Sequence, residues 1–153
     1  MVESTAKGFR SITPSLSVDG AERAIELYKN AFGATLDGKI MRGPDGKVMH
    51  AVIHIGDSKI MLADPMPNCP VGPTHSGFYL YMADADAAFK KATQAGLKSQ
   101  MEPEDMFWGD RMGVVTDPWG NGWTIAQHVK DMSDDEITRA GQEWMRKMGH
   151  EAV

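Results

Sequence analysis

The chain has 153 residues and a hydrophobic content of 42%, which is the size and composition of one domain with a real core. Its 16 lysine and arginine residues against 21 aspartate and glutamate residues give a net charge of -5, which supplies no attraction to nucleic acid or to an anionic membrane. One cysteine, no charged-then-apolar leader and no apolar run of membrane-spanning length predict a cytoplasmic location without a membrane partner.

The first predicted unit consists of a strand, a helix and three further strands. Residues 11–18 alternate between apolar and polar side chains, as in a half-buried strand. A helix is predicted from Asp19 or Gly20, because apolar residues recur at i, i+3 and i+4 spacing until Gly33. Strands are then predicted at residues 35–41, 50–55 and 60–63, with turns at 43–46 and 56–59.

The same order of elements starts again after a proline-rich loop at residues 64–73. Residues 77–82 alternate, and the apolar positions of residues 85–95 form a helical stripe that ends at Gly96. Cys69 lies in the loop with no nearby base or cation to lower its thiol pKa, so we interpret it as chemically inert.

The two units align with each other at an offset of 63 or 64 residues. Placing Val18 on Met82 brings Ala21 onto Ala85, and the hairpins follow in the same order. The sequence therefore predicts an α+β fold with two tandem βαβββ repeats. These span about 9–64 and about 75–129, and we expect a curved mixed sheet around a cavity, with the helices on the outside.

A last helix is predicted outside both repeats, at about residues 133–149. Ser133 and Glu136 match a capping box, and an apolar stripe follows that includes Trp144 and Met145. We expect this stripe to pack on the fold or on a second subunit.

Several segments resemble the PhnB-like branch of the vicinal-oxygen-chelate superfamily, which groups glyoxalases, bleomycin-resistance proteins and dioxygenases. They are Asp19–Tyr28 through Phe32–Gly33, His50–Ala51, Gly56–Ser58, Met61–Asp64, Phe107–Arg111 and Thr116–His128. The resemblance covers Phe9 to about Glu136, and it implies a single domain of this superfamily over residues 1–153 and a homodimer. It leaves the activity open, because the superfamily includes metal-dependent enzymes beside metal-free drug-sequestering proteins.

In the metal-using members, the ligands come from the first strand and the last hairpin strand of each repeat. By register those positions are Thr13, Met61, Gly77 and Thr124 in this chain. Two hydroxyls, a thioether and a glycine do not hold a divalent ion, so we predict no metal and no cofactor. A non-standard site that uses His75 or His128 stays open, since each shares a face with one of these positions.

Strand alternation predicts a cavity lined by hydroxyl, imidazole and aromatic side chains, and it also assigns Val115 to the cavity face. The predicted ligand-binding residues are Thr13, Ser15, His50, His54, Met61, Tyr79, Tyr81, Trp108, Arg111 and Thr124. Trp108 could stack on a ring while Arg111 binds a carboxylate or phosphate. Alternatively, Trp108 closes the end of the core, and Asp110 and Arg111 form a structural ion pair.

We predict a metal-independent binder of a small aromatic or amphipathic molecule, since the lining suits such a ligand. The alternative is a metal-dependent lyase, isomerase or dioxygenase of the same superfamily. A metal-free enzyme is a third hypothesis, with His50 or His54 as general base and Arg111 steadying an anion.

Overall fold

The computed structural model of the chain describes residues 2–68 and 72–151, the last two of them without their side chains. Cys69 lies outside the described residues. The elements in chain order are β1 (Ser15–Ser17), α1 (Ala21–Phe32), β2 (Thr35–Arg42), β3 (Val48–Ile55), β4 (Ser58–Ala63), β5 (Gly77–Tyr81), α2 (Ala85–Ala95), β6 (Lys98–Asp105), β7 (Asp110–Thr116), β8 (Gly122–His128) and α3 (Asp134–Glu151). This order confirms the α+β fold with two βαβββ repeats.

Each repeat forms its own four-stranded mixed sheet. The strand orders are β1-β4-β3-β2 and β5-β8-β7-β6, so the two sheets have the same topology. In both sheets the first strand runs parallel to the last, and the other pairs are antiparallel. Within the described ranges, no β-ladder joins one sheet to the other.

Glycines set both ends of α1. Gly20 precedes the helix with a φ of 99°, and Gly33 follows it with a φ of 70° and donates its N–H to the carbonyl of Lys29. Residues with a β-carbon rarely adopt these left-handed conformations, so the chain turns at glycine. The predicted strand before α1 is shorter than expected, because only residues 15–17 pair with β4.

The end of each repeat's hairpin holds the beginning of that repeat's helix. Asp64 follows β4 and accepts hydrogen bonds from the backbone N–H groups of Gly20 at 2.8 Å and Ala21 at 3.1 Å. Gln127 lies in β8, 63 positions later, and its side-chain oxygen accepts a hydrogen bond from the N–H of Ala85 at 3.1 Å. The first N–H groups of a helix have no partner inside the helix, so both side chains supply acceptors that the helices need.

One hydrophobic core joins the two repeats. Buried residues of both repeats belong to a single cluster, and α1 packs against α2. The ring centroids of Tyr28 and Phe32 in α1 lie 5.0 and 4.6 Å from that of Trp123 in β8. The Tyr28 hydroxyl also donates a 2.6 Å hydrogen bond to buried Asp117, which connects the first helix to the last turn of the second repeat.

The pairing of β7 with β8 decides which side chains face the helices. Val114 lies opposite Thr124, and Val115 lies opposite Trp123. The assignment of Val115 to the cavity face was therefore wrong, since Val115 is fully buried on the helix side of the sheet. A difference of one residue moves a strand side chain to the other face.

The C-terminal helix begins at the predicted capping box. The N–H of Glu136 donates to the Ser133 hydroxyl oxygen, and that hydroxyl donates to the Glu136 carboxylate. Gly141 lies against the Phe107 ring, whose centroid is 5.7 Å from that of Trp144. Trp144, Met145 and Met148 stay exposed on α3. No helix in the described part of the chain has the length and hydropathy to cross a membrane.

Candidate ligand-binding site

Two tyrosine rings lie side by side on the face of the second sheet that the helices leave open. Tyr79 and Tyr81 are 45% and 59% exposed, and they lie opposite Thr124 and Ala126 in β8. Their ring centroids are 5.3 Å apart in an edge-to-face arrangement. We call these two rings the tyrosine platform.

A buried carboxylate fixes the tyrosine platform. Asp110, the first residue of β7, is 2% exposed and accepts hydrogen bonds from the hydroxyls of Tyr79 at 2.7 Å and Tyr81 at 2.9 Å. Nδ1 of His128 is 2.8 Å from the other carboxylate oxygen, because β7 and β8 pair Asp110 directly with His128. The phenol ends are therefore anchored inside the protein while much of each ring surface faces solvent.

Trp108 joins the platform from the turn before β7. Its indole N–H donates a 3.1 Å hydrogen bond to the Tyr79 hydroxyl oxygen. The turn depends on Gly109, which has a φ of 97° and lies so close to the carbonyl of Lys130 that a β-carbon would collide with it. The N–H groups of Val129 and Lys130 both donate to the Gly109 carbonyl, so the segment after β8 holds the turn in place.

The charge of the network follows from its hydrogen bonds. Burial raises the pKa of Asp110, but hydrogen bonds from His128 and both tyrosines outweigh it and hold the pKa below its usual range. Burial and the hydrogen bond to Asp110 raise the pKa of Tyr79 to about 12. The hydrogen bond to Asp110 also raises the pKa of Tyr81. At neutral pH, both phenols are therefore protonated and Asp110 is ionised.

His128 lies between two carboxylates. Its Nε2 is 2.7 Å from the Asp131 carboxylate, in addition to the Nδ1 contact with Asp110. Ionised carboxylates only accept hydrogen bonds, so both ring nitrogens must carry a proton for both contacts to form. These hydrogen bonds raise the pKa of His128, the contact with Asp110 having the larger effect.

The predicted site residues of the first repeat form a separate group. His54 and Lys59 contact the carboxylate of Asp37 at 3.2 and 2.9 Å on the open face of the first sheet. Ser15 pairs with Met61 on the same face, and His50 lies opposite Met41 near the far edge. In the described part of the chain, no hydrogen bond or aromatic contact connects this group with the tyrosine platform.

The structure corrects the expected position of Arg111. Its neighbour Asp110 faces the tyrosines, so Arg111 projects to the helix side, where it binds the carboxylate of Asp86 at 2.9 Å and that of Asp105 at 3.3 Å. Arg111 therefore does not reach the platform, and its ion pairs are not with Asp110. Thr13 precedes β1 and lines a cavity near the N-terminus, whereas Thr124 lies opposite Tyr79 in the second sheet.

The donor set does not fit the divalent metal that some members of the superfamily use. The four positions equivalent to metal ligands carry two hydroxyls, a thioether and a glycine, in Thr13, Thr124, Met61 and Gly77. Both ring nitrogens of His128 already contact carboxylates. His75 packs against Gly120, and His50 is separated from His54 by about 13 Å of extended strand. Residues 2–68 and 72–151 contain no cluster of three histidine, cysteine or acidic side chains that could hold an ion.

Sequence reasoning missed the residues that organise the platform. Strand alternation indicates that Tyr79 and Tyr81 share a face, but it does not show that Asp110 is buried beneath them. The signal that could have found it is the pairing of the strands. Tyr79 lies opposite Thr124, which shares a face of β8 with His128. His128 in turn lies opposite Asp110. Asp131 follows the last strand, where no periodic pattern reports its position.

Comparisons with known proteins agree with the topology. The model of the glyoxalase/bleomycin resistance protein/dioxygenase superfamily matches residues 10–125. An uncharacterized protein of Mycobacterium tuberculosis (strain H37Rv) is 40% identical over 139 residues, which cover 85% of this chain and 81% of the relative. Protein YjdN of Escherichia coli (strain K12) is 30% identical over 138 residues, which cover 74% of this chain and 92% of YjdN.

Solved structures show the same fold. TioX from Micromonospora sp. ML1 superposes with a TM-score of 0.65 at 25% identity, covering 79% of this chain and 100% of TioX. A PhnB protein from Bacillus cereus, a putative 3-demethylubiquinone-9 3-methyltransferase, has a TM-score of 0.61 at 19% identity and covers 77% of this chain and 99% of its own; this likeness concerns the fold alone. On its sequence match and its two βαβββ repeats, this chain belongs to the glyoxalase/bleomycin resistance protein/dioxygenase superfamily.

Proposed function

We propose that this chain is a metal-independent binding protein for a small planar aromatic or amphipathic molecule. In this proposal the molecule stacks on the rings of the tyrosine platform. The observation that carries the proposal is a pair of exposed tyrosine rings whose hydroxyls are anchored to one buried carboxylate. Aromatic rings give a ligand a large contact area and a preferred stacking geometry. Rings that are already fixed lose little conformational freedom when a ligand binds.

The hydrogen bonding of the network favours binding over proton transfer. Asp110 already accepts from Tyr79, Tyr81 and His128, and Trp108 already donates to Tyr79. A general base must reach the proton that it removes, whereas Asp110 is covered by its own donors. The accessible chemistry of the platform is therefore the faces and edges of its rings.

The proposal is tested by titrating an uncharged bicyclic aromatic probe, 2-naphthol, while following the tyrosine ring resonances by NMR. Tyr81→Leu should weaken binding about tenfold, because it removes an aromatic contact worth up to ~1.5 kcal/mol while keeping an apolar side chain. Tyr81→Phe keeps the ring and should weaken binding less. Cyclohexanol serves as the non-aromatic control and should bind more weakly than 2-naphthol.

Two results would contradict this function. Equal 2-naphthol affinity in the wild type and in Tyr81→Leu would remove the platform from the site. About one tightly held ion per chain, in protein purified without chelator or metal-affinity resin, would contradict metal independence, especially if Zn²⁺, Ni²⁺, Mn²⁺ or Fe²⁺ raised the melting temperature.

We further propose that the working form is a homodimer. Exposed Trp144, Met145 and Met148 on α3 form an apolar stripe that a second copy could cover. Light scattering should then give twice the chain mass of 16.8 kDa, and a mass of one chain at micromolar concentration would contradict the dimer.

A further inference from the structure

A cavity of about 370 Å³ lies under the N-terminal segment, which we define as residues 8–14. Its walls come from this segment, from the β3–β4 turn of the first repeat and from β5 of the second repeat. The volume falls in the usual range of small-molecule sites. The cavity therefore has the size and the mixed origin of a binding site between two structural units.

Of the residues that line the cavity, one, Tyr79, belongs to the tyrosine platform. Phe78, Leu80 and Trp123 contribute to its wall, and these side chains lie on the helix-facing side of the second sheet. Tyr79 reaches the cavity at the edge strand β5, but Tyr81, Asp110 and His128 do not line it. A ligand could therefore occupy the cavity without touching most of the platform network.

The apolar part of the cavity lining is only partly shielded from solvent. Phe78 and Trp123 stack with ring centroids 4.3 Å apart and form a continuous inner wall. Ile12 also lines the cavity but is 86% exposed, so its apolar side chain has almost no protein cover. An apolar ligand in the cavity would bury surface of Ile12 that now faces water, which is favourable in proportion to the area removed.

The charge of the lining is positive in a chain whose net charge is -5. Arg10 and Lys59 are the cations of the lining, and Asp57 is its carboxylate. The Lys59 ammonium lies 4.2 Å from the centroid of the Phe9 ring and 2.9 Å from the Asp37 carboxylate, so its position is fixed. Arg10 forms no ion pair with any side chain of residues 2–68 and 72–149, so its guanidinium is available to an anion.

From these features we infer that the cavity binds a small amphipathic monocarboxylate. The apolar part packs between Ile12 and the wall formed by Phe78 and Trp123, and the carboxylate binds the guanidinium of Arg10. A planar guanidinium suits a carboxylate because it can donate two parallel hydrogen bonds. Lys59 also lines the cavity, and its ammonium adds to the positive potential of the lining.

The test compares octanoate with 1-octanol by isothermal titration calorimetry on the full chain. Octanoate should bind more tightly than the uncharged alcohol, and the difference should shrink as the salt concentration rises. Arg10→Gln should weaken octanoate binding about fivefold, the upper range for one exposed ion pair, and should leave 1-octanol binding unchanged. Ile12→Ser should weaken the binding of both molecules.

Matched controls separate the cavity from general surface effects. Arg139→Gln makes the same charge change on α3, and Val2→Ser makes a similar polar change at a residue that is 99% exposed; both should bind as the wild type does. Ser58→Trp places an indole at the cavity wall and should abolish binding of both molecules. Thermal unfolding of each variant shows that it is folded.

The outcomes distinguish this site from the proposed function. Tyr81→Leu should leave octanoate binding unchanged, because Tyr81 does not line the cavity. Equal affinities of octanoate and 1-octanol, unchanged octanoate affinity in Arg10→Gln, or absence of octanoate binding at millimolar concentration would each overturn the inference. Loss of octanoate binding in Tyr81→Leu would do so as well, since it would move the site to the platform.

Discussion

Asp110 is the residue on which most of the candidate site depends. One carboxylate with 2% exposure positions two phenols and an imidazole, and a tryptophan joins through one of those phenols. A buried carboxylate needs such donors, because moving an ionised carboxylate from water into the protein without hydrogen bonds costs on the order of several kcal/mol. The two tyrosines whose rings are exposed to solvent are therefore also donors that make the buried charge tolerable.

The contact of His128 with two carboxylates predicts a pH-dependent stability. The pKa of His128 is raised in the folded state, so its stabilisation is fully present below its unfolded pKa of about 6.5 and is lost as pH rises through the folded pKa. The free energy of unfolding of the wild type should exceed that of His128→Gln by more at about pH 6 than at about pH 8.5. Urea denaturation at both pH values measures this difference.

The second carboxylate provides the control for His128. Asp131→Asn removes the negative charge beside Nε2 and keeps the contact with Asp110, so the pH at which the stabilisation declines should move to lower values. A difference between wild type and His128→Gln that stays constant across the pH range would show that protonation of His128 does not stabilise the fold.

The face on which a side chain lies could be predicted from the sequence where alternation within one strand decides it. The alternation in β5 correctly places Tyr79 and Tyr81 on one open face, because every second side chain of a strand faces the same way. The same rule failed for Val115, since its face depends on how β7 pairs with β8. Arg111 was expected at the site as part of a loop, whereas the structure places it in β7. A single sequence contains no measure of that pairing.

At the scale of elements, the duplicated topology extends to the way the helices begin. Asp64, just after β4, and Gln127, in β8, occupy equivalent positions in the two repeats. Each accepts hydrogen bonds from backbone N–H groups at the start of its own repeat's helix. Asp64 also accepts a 2.7 Å hydrogen bond from the N–H of Val48. Burial raises the pKa of Asp64, but these backbone donors outweigh burial and lower it.

Removal of these acceptors should therefore have unequal effects. Asp64→Ala leaves three backbone N–H groups without their acceptor and should lower the free energy of unfolding by about 2 kcal/mol, whereas Gln127→Ala loses one hydrogen bond and should cost about 1 kcal/mol. Urea denaturation measures both losses. Glu104→Ala, at an exposed position in β6, is the control with little effect. Equal losses in the two variants would contradict this account.

The elements of the first repeat, β5 and the helices could be predicted from the sequence to within a few residues, because helix periodicity and glycine ends are local signals. The strands β6 to β8 followed only from the repeat and were predicted without bounds. The capping box at Ser133 and Glu136 is an example in which sequence and structure agree. The first strand was predicted too long: residues 11–14 alternate, but only residues 15–17 pair with β4, and Ile12, Thr13 and Pro14 line the cavity instead. Whether a strand has a partner is a tertiary property that alternation does not report.

At the scale of the whole molecule, Tyr28 links the repeats. Its hydroxyl donates to Asp117, which also accepts from the indole N–H of Trp123 at 3.1 Å and from Asn121. Burial and the hydrogen bond to Asp117 raise the pKa of Tyr28, so the phenol stays protonated. The helix of one repeat is therefore bound to the turn that closes the other.

Tyr28→Phe should lower the free energy of unfolding by about 2 kcal/mol, because a buried hydrogen bond to a charged acceptor is lost while the ring stays in the core. Chemical denaturation followed by far-ultraviolet circular dichroism measures the loss. A single transition should remain, since α1 and α2 still share one core. Two separate transitions in the variant would mean that this hydroxyl alone couples the repeats, which the shared core argues against.

The two faces of the second sheet differ in how much substitution they can accept. The side chains of the helix-facing side fill the core, whereas Tyr79, Tyr81 and Thr124 point away from it. A substitution at Thr124 leaves both the core and the hydrogen bonds of Asp110 intact, so this position can vary from gene to gene while the scaffold is inherited unchanged. A library randomised at Thr124, with Asp110, Tyr79 and Tyr81 retained, would sample new surfaces rather than new folds.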